Sequence, residues 1–332
     1  MTKPLHFRHS FYSSLLILLV LILFSFIFCP NFVTGFNGFF MLKQVSHIAL
    51  MACGATVVIM LGHINVAYGS VMALTGCVAC RVMIQTGNVL AAVVCAMLIG
   101  MMIGFFMGLI ITQYEIPSFI VTLVVGMIAR GAALVYTDSA PILQIGSLSV
   151  IGQGKILKIP IPIYIMIVCF IITGLILNKT AFGRQVIAVG ENLEASRASG
   201  IRVSRTIIQG YILDGFFTAA AGVVFMARMN SGLPDSGSSS EFDVITAVVI
   251  GGTSLAGGTG TITGTLIGAM IVGIINNVLN FWSINYNWQS IIKGIIILIV
   301  IMVRLQPEEK AEVLTDFPVF CYNQSIRQMR VY

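Results

Sequence analysis

The sequence is short of charge. Only 9% of its 332 residues are Asp, Glu, Lys or Arg, against 58% hydrophobic, where a soluble domain carries about a quarter charged residues. Polar surface that scarce cannot cover a water-exposed globule, so a soluble enzyme is excluded. Long hydrophilic stretches are missing too. The longest are 137–160, 178–206, 228–243 and the tail from Arg304, each below the roughly 40 residues under which chains seldom fold alone. Motifs for catalysis are also lacking: there is no Walker phosphate loop, no HExxH, no GxSxG, and no pair of carboxylates within one apolar run. The run Gly251–Gly258 has the glycines of a phosphate cradle but not the following Gly-Lys-Ser/Thr. Seven cysteines occur (Cys29, Cys53, Cys77, Cys80, Cys95, Cys169, Cys321), mostly in apolar sequence. Cys77-Val-Ala-Cys80 has no second pair or histidine beside it, and reads as small buried side chains rather than a metal or redox site.

What is present is apolar sequence in blocks. A spanning helix needs about 20 mostly apolar residues. Such blocks lie near 11–29, 45–61, 66–84, 89–111, 117–136, 161–177, 207–227, 244–256, 262–280 and 290–303. The eighth is short and glycine-interrupted, the pattern of a half-helix. Behind the first comes Cys29-Pro30-Asn31 rather than a small-residue cleavage site, so it reads as an anchor. Ten crossings with a cytoplasmic start put Lys3, Arg8, Lys179, Arg184, Arg197, Arg202, Arg205, Arg304, Lys310, Arg327 and Arg330 inside, eleven in all. The five at the other face are Lys43, Arg81, Lys155, Lys158 and Arg228. That bias obeys the positive-inside rule, and the net charge of +6 is a topology signal rather than a nucleic-acid footprint. The fold expected is all-α: a polytopic membrane protein of about ten transmembrane helices, two segments broken or short, both termini cytoplasmic. Residues 1–304 form one transmembrane domain, and 305–332 form a cytoplasmic tail.

Small residues recur every fourth position at Gly100, Gly104, Gly108 and at Gly260, Gly264, Gly268, the spacing that lets helices approach closely in lipid. An internal echo at an offset of 191 matches Val57-Val58-Ile59, Ile64 and Gly69-Ser70-Val71 with Val248-Val249-Ile250, Leu255 and Gly260-Thr261-Ile262. Two candidate breaks fall within it: Gly62 to Ser70, including Gly69, and Gly251, Gly252, Thr253, Ser254, Gly257 and Gly258. Each is either a discontinuous helix beside a pathway or a tight turn.

The segment 178–206 is the longest polar connection with a helical pattern. Residues 191–199 suit a short helix with Glu191 and Glu194 early, Arg197 late and Gly200 at the cap. It reads either as a docking helix or as a solvated connector. Arg130 lies deep in an apolar block, where charge costs about 3 kcal/mol; it is a structural clamp or a substrate contact. Asp214 stands in the seventh block, with Arg130 or a backbone donor as its expected partner. Asn276, Asn277 and Asn280 share one helix, for inter-helix bonding or for a sugar path. Lys293 sits near a block end and can snorkel, while Trp282 and Trp288 read as interfacial anchors.

Several of these segments resemble the permease subunits of bacterial ABC sugar importers of the ribose type. The matching stretches are Ile64-Asn-Val-Ala-Tyr-Gly69-Ser70-Val-Met-Ala-Leu-Thr75-Gly76, Ile116-Pro117-Ser118-Phe119-Ile120-Val-Thr122-Leu and Ala129-Arg130-Gly131. Thr180-Ala-Phe-Gly183-Arg184, Ala188-Val-Gly190-Glu191-Asn192-Leu-Glu194-Ala195, Glu241 to Gly258 and Gln289-Ser-Ile-Ile-Lys293-Gly294 follow in the same order. The resemblance implies a non-enzymatic subunit of the inner membrane that forms a path for a monosaccharide, ribose or a related pentose. Another sugar, a polyol or a furanosyl signal molecule is the alternative cargo, and an ion-coupled carrier the alternative class. It implies three partners: a cytoplasmic ATPase, which binds ATP and Mg; a periplasmic or lipid-anchored sugar-binding protein; and a second permease copy, identical or not. No cofactor or metal belongs to this chain. The coupling segment would be about 185–201, with Gly190, Glu191, Asn192, Glu194, Ala195, Arg197, Ser199 and Gly200 seated on the ATPase. Path candidates are Asn65, Ser70, Thr75, Thr122, Arg130, Asp214, Asn276, Asn277 and Asn280. Two departures stand out: Asn65-Val-Ala67 replaces the family's usual Asp-Leu-Ser, and Thr137-Asp138-Ser139 replaces Thr-Gly-Gly.

Overall fold

The computed structural model describes residues 4–28, 35–282 and 284–304; the expected tail 305–332, with Cys29 and Lys3, lies outside them. Helices dominate, as all-α sequence in lipid requires, since each backbone amide must find its partner within the segment. They run α1 (Pro4–Phe28), α2 (Gly35–Met60), α3 (Tyr68–Thr86), α4 (Val89–Tyr114), α5 (Ser118–Tyr136), α6 (Ser149–Gln153) and α7 (Ile161–Lys179). After these come α8 (Ala181–Glu191), α9 (Leu193–Ala198), α10 (Val203–Met229), α11 (Ser240–Ile250), α12 (Ile262–Phe281) and α13 (Tyr286–Arg304).

Seven of these are long and apolar enough to cross a membrane: α2 from Gly38, α3, α4, α5, α7, α10 and α12. The chain is a polytopic, predominantly helical membrane protein. The other three expected blocks are helical as well. α1 carries an apolar stretch Ser14–Ile27, the 244–256 block is split into the short α11 and a loop, and 290–303 lies in α13. The chain divides into two compact units, Met1–Ser290 and Ile291–Tyr332; the described part of the second is the last stretch of α13.

In the first unit α10 is the hub, packed on α4, α2 and α3. Glycine permits this. A Cβ on Gly100, Gly104 or Gly108 of α4 would run into the α10 backbone at Gly215, Tyr211 or Ile208 respectively. In lipid such backbone approach supplies much of the helix–helix attraction. Every residue from Val45 to Leu61 of α2 and its end is buried, while α4, α5 and α7 present Leu, Ile, Phe and Val outward. Sidechain caps start several helices: Asn88 accepts from Leu90 N at 2.9 Å, and Thr261 from Gly264 N at 3.2 Å.

Two small antiparallel ladders interrupt the helical pattern. β1 (Ile142–Leu143) pairs with β4 (Ser231–Gly232), and β2 (Lys155–Ile156) with β3 (Ile159–Pro160). Both lie in the polar stretches 137–160 and 228–243, where no apolar block favours a helix.

The sequence echo is a structural repeat at the helix ends. At the end of α2, Gly62 N donates to Ile59 O and His63 N to Val58 O; at the end of α11, Gly252 N donates to Val249 O and Thr253 N to Val248 O. These are two copies of one Schellman cap, with Gly62 and Gly252 in the left-handed region at φ 79° and 101°. The caps stand 190 residues apart, one fewer than the sequence offset, and the second loop is longer, because α3 resumes at Tyr68 but α12 only at Ile262.

Candidate functional site

Both caps open into breaks, and the breaks meet. Gly258 N donates to Met60 O at 2.9 Å, joining the α11–α12 loop to the end of α2. Gly190, on the last turn of α8, lies against both: a Cβ there would overlap Met60 O and Gly258 N. Gly257 in turn lies beside Gly190 O and Gly62 N, and Gly258 beside Glu191. Three segments thus touch through backbone, at φ 92° for Gly257 and 73° for Gly258. No side chain fits between them.

The helix expected over 191–199 is resolved into two pieces. Glu191 ends α8, and Asn192, at φ −159° and ψ 110°, turns the chain and caps α9 by accepting from Ala195 N at 2.9 Å. α9 closes as expected, with Gly200 at φ 81° and Ser199 Oγ donating to Ala195 O at 2.8 Å. Arg197 pairs with Glu194 at 3.2 Å and reaches Glu115, after α4, at 4.0 Å. All three are exposed, so these pairs contribute little to stability. They border a groove of about 560 Å³ whose wall includes Ile111, Phe119 and Ile207, with His63 of the first break.

The first break is tied from two sides. From α5, Ser118 Oγ accepts from Ile64 N at 3.2 Å and Thr122 Oγ1 accepts from Val66 N at 3.3 Å. From α10, the buried Asp214 accepts from Asn65 Nδ2 at 2.7 Å, while Asn65 Oδ1 accepts from Ala67 N at 2.8 Å. Asp214 therefore partners Asn65, and Arg130 has other partners. Gly54 of α2 leaves the space that the Asp214 carboxyl fills. Asn65 donates to one group and accepts from another, which an ionised carboxylate cannot do.

His63 packs edge-on to Tyr211 with ring centroids 6.0 Å apart. Burial lowers its pKa from 6.5 to about 4, because charging it would forfeit hydration. The folded state thus binds this proton more weakly than the unfolded one, so its contribution to stability is whole above pH 6.5 and lost as pH falls toward 4. The hydrogen-exchange protection factors at Leu61–Ala67, taken relative to the intrinsic rate at each pH, are expected to fall as pH drops through that window, and His63→Gln to flatten the change. A break equally protected at both ends of the range would contradict this.

Arg130 is a clamp in this fold. Its guanidinium donates to Pro234 O at 2.6 Å and to Ser236 O at 2.7 Å, holding the segment between β4 and α11. There Gly69 packs on Gly237 O; Gly69 lies in the first turn of α3, beyond the break expected to contain it, because the helix already resumes at Tyr68. Charged donors to carbonyls are worth about 1.5–3 kcal/mol each. Arg130→Gln is expected to raise maleimide labelling of an Asp235→Cys reporter several-fold, and Arg130→Lys to do so less, since both bonds leave one nitrogen and an ammonium keeps the charge and the N–H donors on a shorter side chain. Unchanged labelling in both would refute the clamp.

The remaining candidates scatter. Asn276 Nδ2 donates to Asp243 Oδ2 across α12 and α11 at 3.4 Å, Asn277 is buried, and the exposed Asn280 accepts from Gln289 at 3.1 Å. Thr75 is buried and bonds its own helix at Val71 O; Ser70 is half-buried near Gly126. Sequence reading missed Ser118, Asp243 and the buried Thr56–Thr265 contact at 2.8 Å, all short polar side chains that only tertiary packing singles out.

Apolar spanning helices and two repeated breaks that meet at the end of α8 define a polytopic membrane protein with interrupted helices. A family model described as branched-chain amino acid transport system / permease component matches residues 37–301, and the chain belongs to that family. It is 40% identical over 296 residues to the ribose import permease protein RbsC of Escherichia coli K12, covering 88% of this chain and 92% of that protein. The Bacillus subtilis RbsC is 38% identical, covering 86% and 89%. The L-arabinose transport system permease protein AraH of Escherichia coli K12 is 34% identical, covering 86% and 88%. No solved structure matches the chain. The chain is a multi-pass protein of the bacterial inner membrane.

Proposed function

We propose that this chain forms the translocation path of an ATP-driven importer for ribose or a related pentose. The cargo rests on the ribose permeases, which exceed the arabinose permease in identity. In this reading there are ten crossings, α1, α11 and α13 included, with both termini and α8–α9 cytoplasmic. A sugar-binding protein delivers cargo outside, and an ATPase that holds ATP and Mg docks on α9 inside. A second permease copy completes the path, and this chain binds no cofactor or metal of its own. Residues 1–304 act as the permease domain and 305–332 as a tail.

The observation that carries the proposal is the three-way glycine contact at Gly190. Movement of α9 by the ATPase passes through α8 to both breaks at once, and the breaks set the width of the path. Asn65, Thr122, Arg130 and Asp214 act as its frame. Ser70, Thr75, Asn276, Asn277 and Asn280 offer weak polar contacts, since tight holding would block release of a neutral sugar. The reading is tested by purifying the tagged chain from native membranes in mild detergent. Recovery of an ATPase with nucleotide-binding halves, and its loss on charge reversal at Glu194 and Arg197, is expected. Recovery of the chain alone, even with the ATPase co-expressed, would sink the proposal.

A further inference from the structure

A second cavity lies apart from the coupling groove. It measures about 310 Å³ and is lined by Gln185 of α8, by Gly200, and by Arg202, Arg205, Thr206 and Gln209. The last four follow a helical spacing at the start of α10, so they make one polar stripe facing α8. No carboxylate lines the cavity. Among the described residues neither Arg202 nor Arg205 pairs with a carboxylate.

Length places this stripe. The 27 residues of α10 extend about 40 Å, whereas the hydrocarbon core is about 30 Å thick. The excess is enough for the first turns, where Arg202 and Arg205 are exposed, to reach a headgroup layer, and two charged side chains favour that end over the apolar middle. Two guanidiniums present forks that match phosphate oxygens, and the Gln185 and Gln209 carboxamides add donors for the remaining phosphate and glycerol oxygens.

We infer that this cavity binds the phosphate of an anionic phospholipid. That the lipid belongs to the cytoplasmic leaflet rests on the orientation proposed above; the binding itself does not. The site is distinct from the diffuse attraction of basic loops to lipid, because it requires these two arginines.

The test is native mass spectrometry of the full-length chain, delipidated and then offered phosphatidylglycerol or phosphatidylcholine. Preferential retention of phosphatidylglycerol is expected, on the order of 100-fold weaker in R202Q/R205Q, which loses two charge-assisted hydrogen bonds. The charge-matched pair K179Q/R184Q, exposed and outside the cavity, is expected to retain it nearly as the parent does. R202K/R205K, which keeps the charge but loses the forks, should fall between, and serves if the glutamine pair is not monodisperse. Equal loss in both glutamine pairs would reduce the site to diffuse charge, and no loss in R202Q/R205Q would overturn it. Displacement by excess inorganic phosphate would assign the cavity to a soluble anion instead. Uptake is not the readout, so failure here leaves the importer reading standing, and the reverse.

Discussion

Gly190→Ala is expected to cut ATP-driven uptake at least tenfold while the protein still inserts and binds its ATPase. The added methyl must displace Met60 O or Gly258 N, and both belong to backbone held by helix-end hydrogen bonds. Interiors this dense transmit strain rather than absorb it. ATP hydrolysis by the complex should persist, so the variant reads as uncoupled. Gly87→Ala, at the end of α3, is the control. Its φ of 64° is unfavourable for alanine, but nothing lies within 4 Å of a Cβ there, so only a modest loss, on the order of 1 kcal/mol of local stability, is expected. Equal uptake by Gly190→Ala and the parent would remove the junction from the mechanism.

The second large effect is on stability. Asp214→Ala removes the acceptor of Asn65 Nδ2 in a site where both residues are buried. A stranded buried donor costs about 1–3 kcal/mol, and the lost carboxyl leaves a void against Gly54. The melting temperature in detergent should fall by several degrees. Asp214→Asn, which keeps size and one acceptor, should fall less. The double variant Asn65→Ala/Asp214→Ala should cost less than the sum of the singles, because the shared bond can be lost only once. Strict additivity would show that the pair does not act as a unit.

Much of this architecture is legible in the sequence, for a physical reason. Lipid forbids unpaired backbone, so apolar blocks must be helices, and the breaks announce themselves through Gly62, Gly252, Gly257 and Gly258. Local caps were readable as well, as Gly200 shows. Partnerships were not. Asn65 finds Asp214 across 149 positions, and Arg130 finds two backbone carbonyls more than 100 positions away; no periodicity encodes such pairs. The sequence misplaces the start of α9 because an acidic side chain favours a helix N-terminus, whereas Glu191 closes α8, and only the extended backbone of Asn192 separates the two helices. The sequence puts Gly69 in a break for a similar reason: glycine within a helix, needed for close approach to Gly237, has the same letter as glycine that ends one.

The most direct measurement is uptake of labelled ribose into proteoliposomes holding this chain, its ATPase and its sugar-binding protein. The account predicts accumulation that requires ATP and all three proteins, and that collapses when Gly190→Ala replaces the parent chain. Uptake by this chain alone under an ion gradient, with ATP and the ATPase absent, would contradict it.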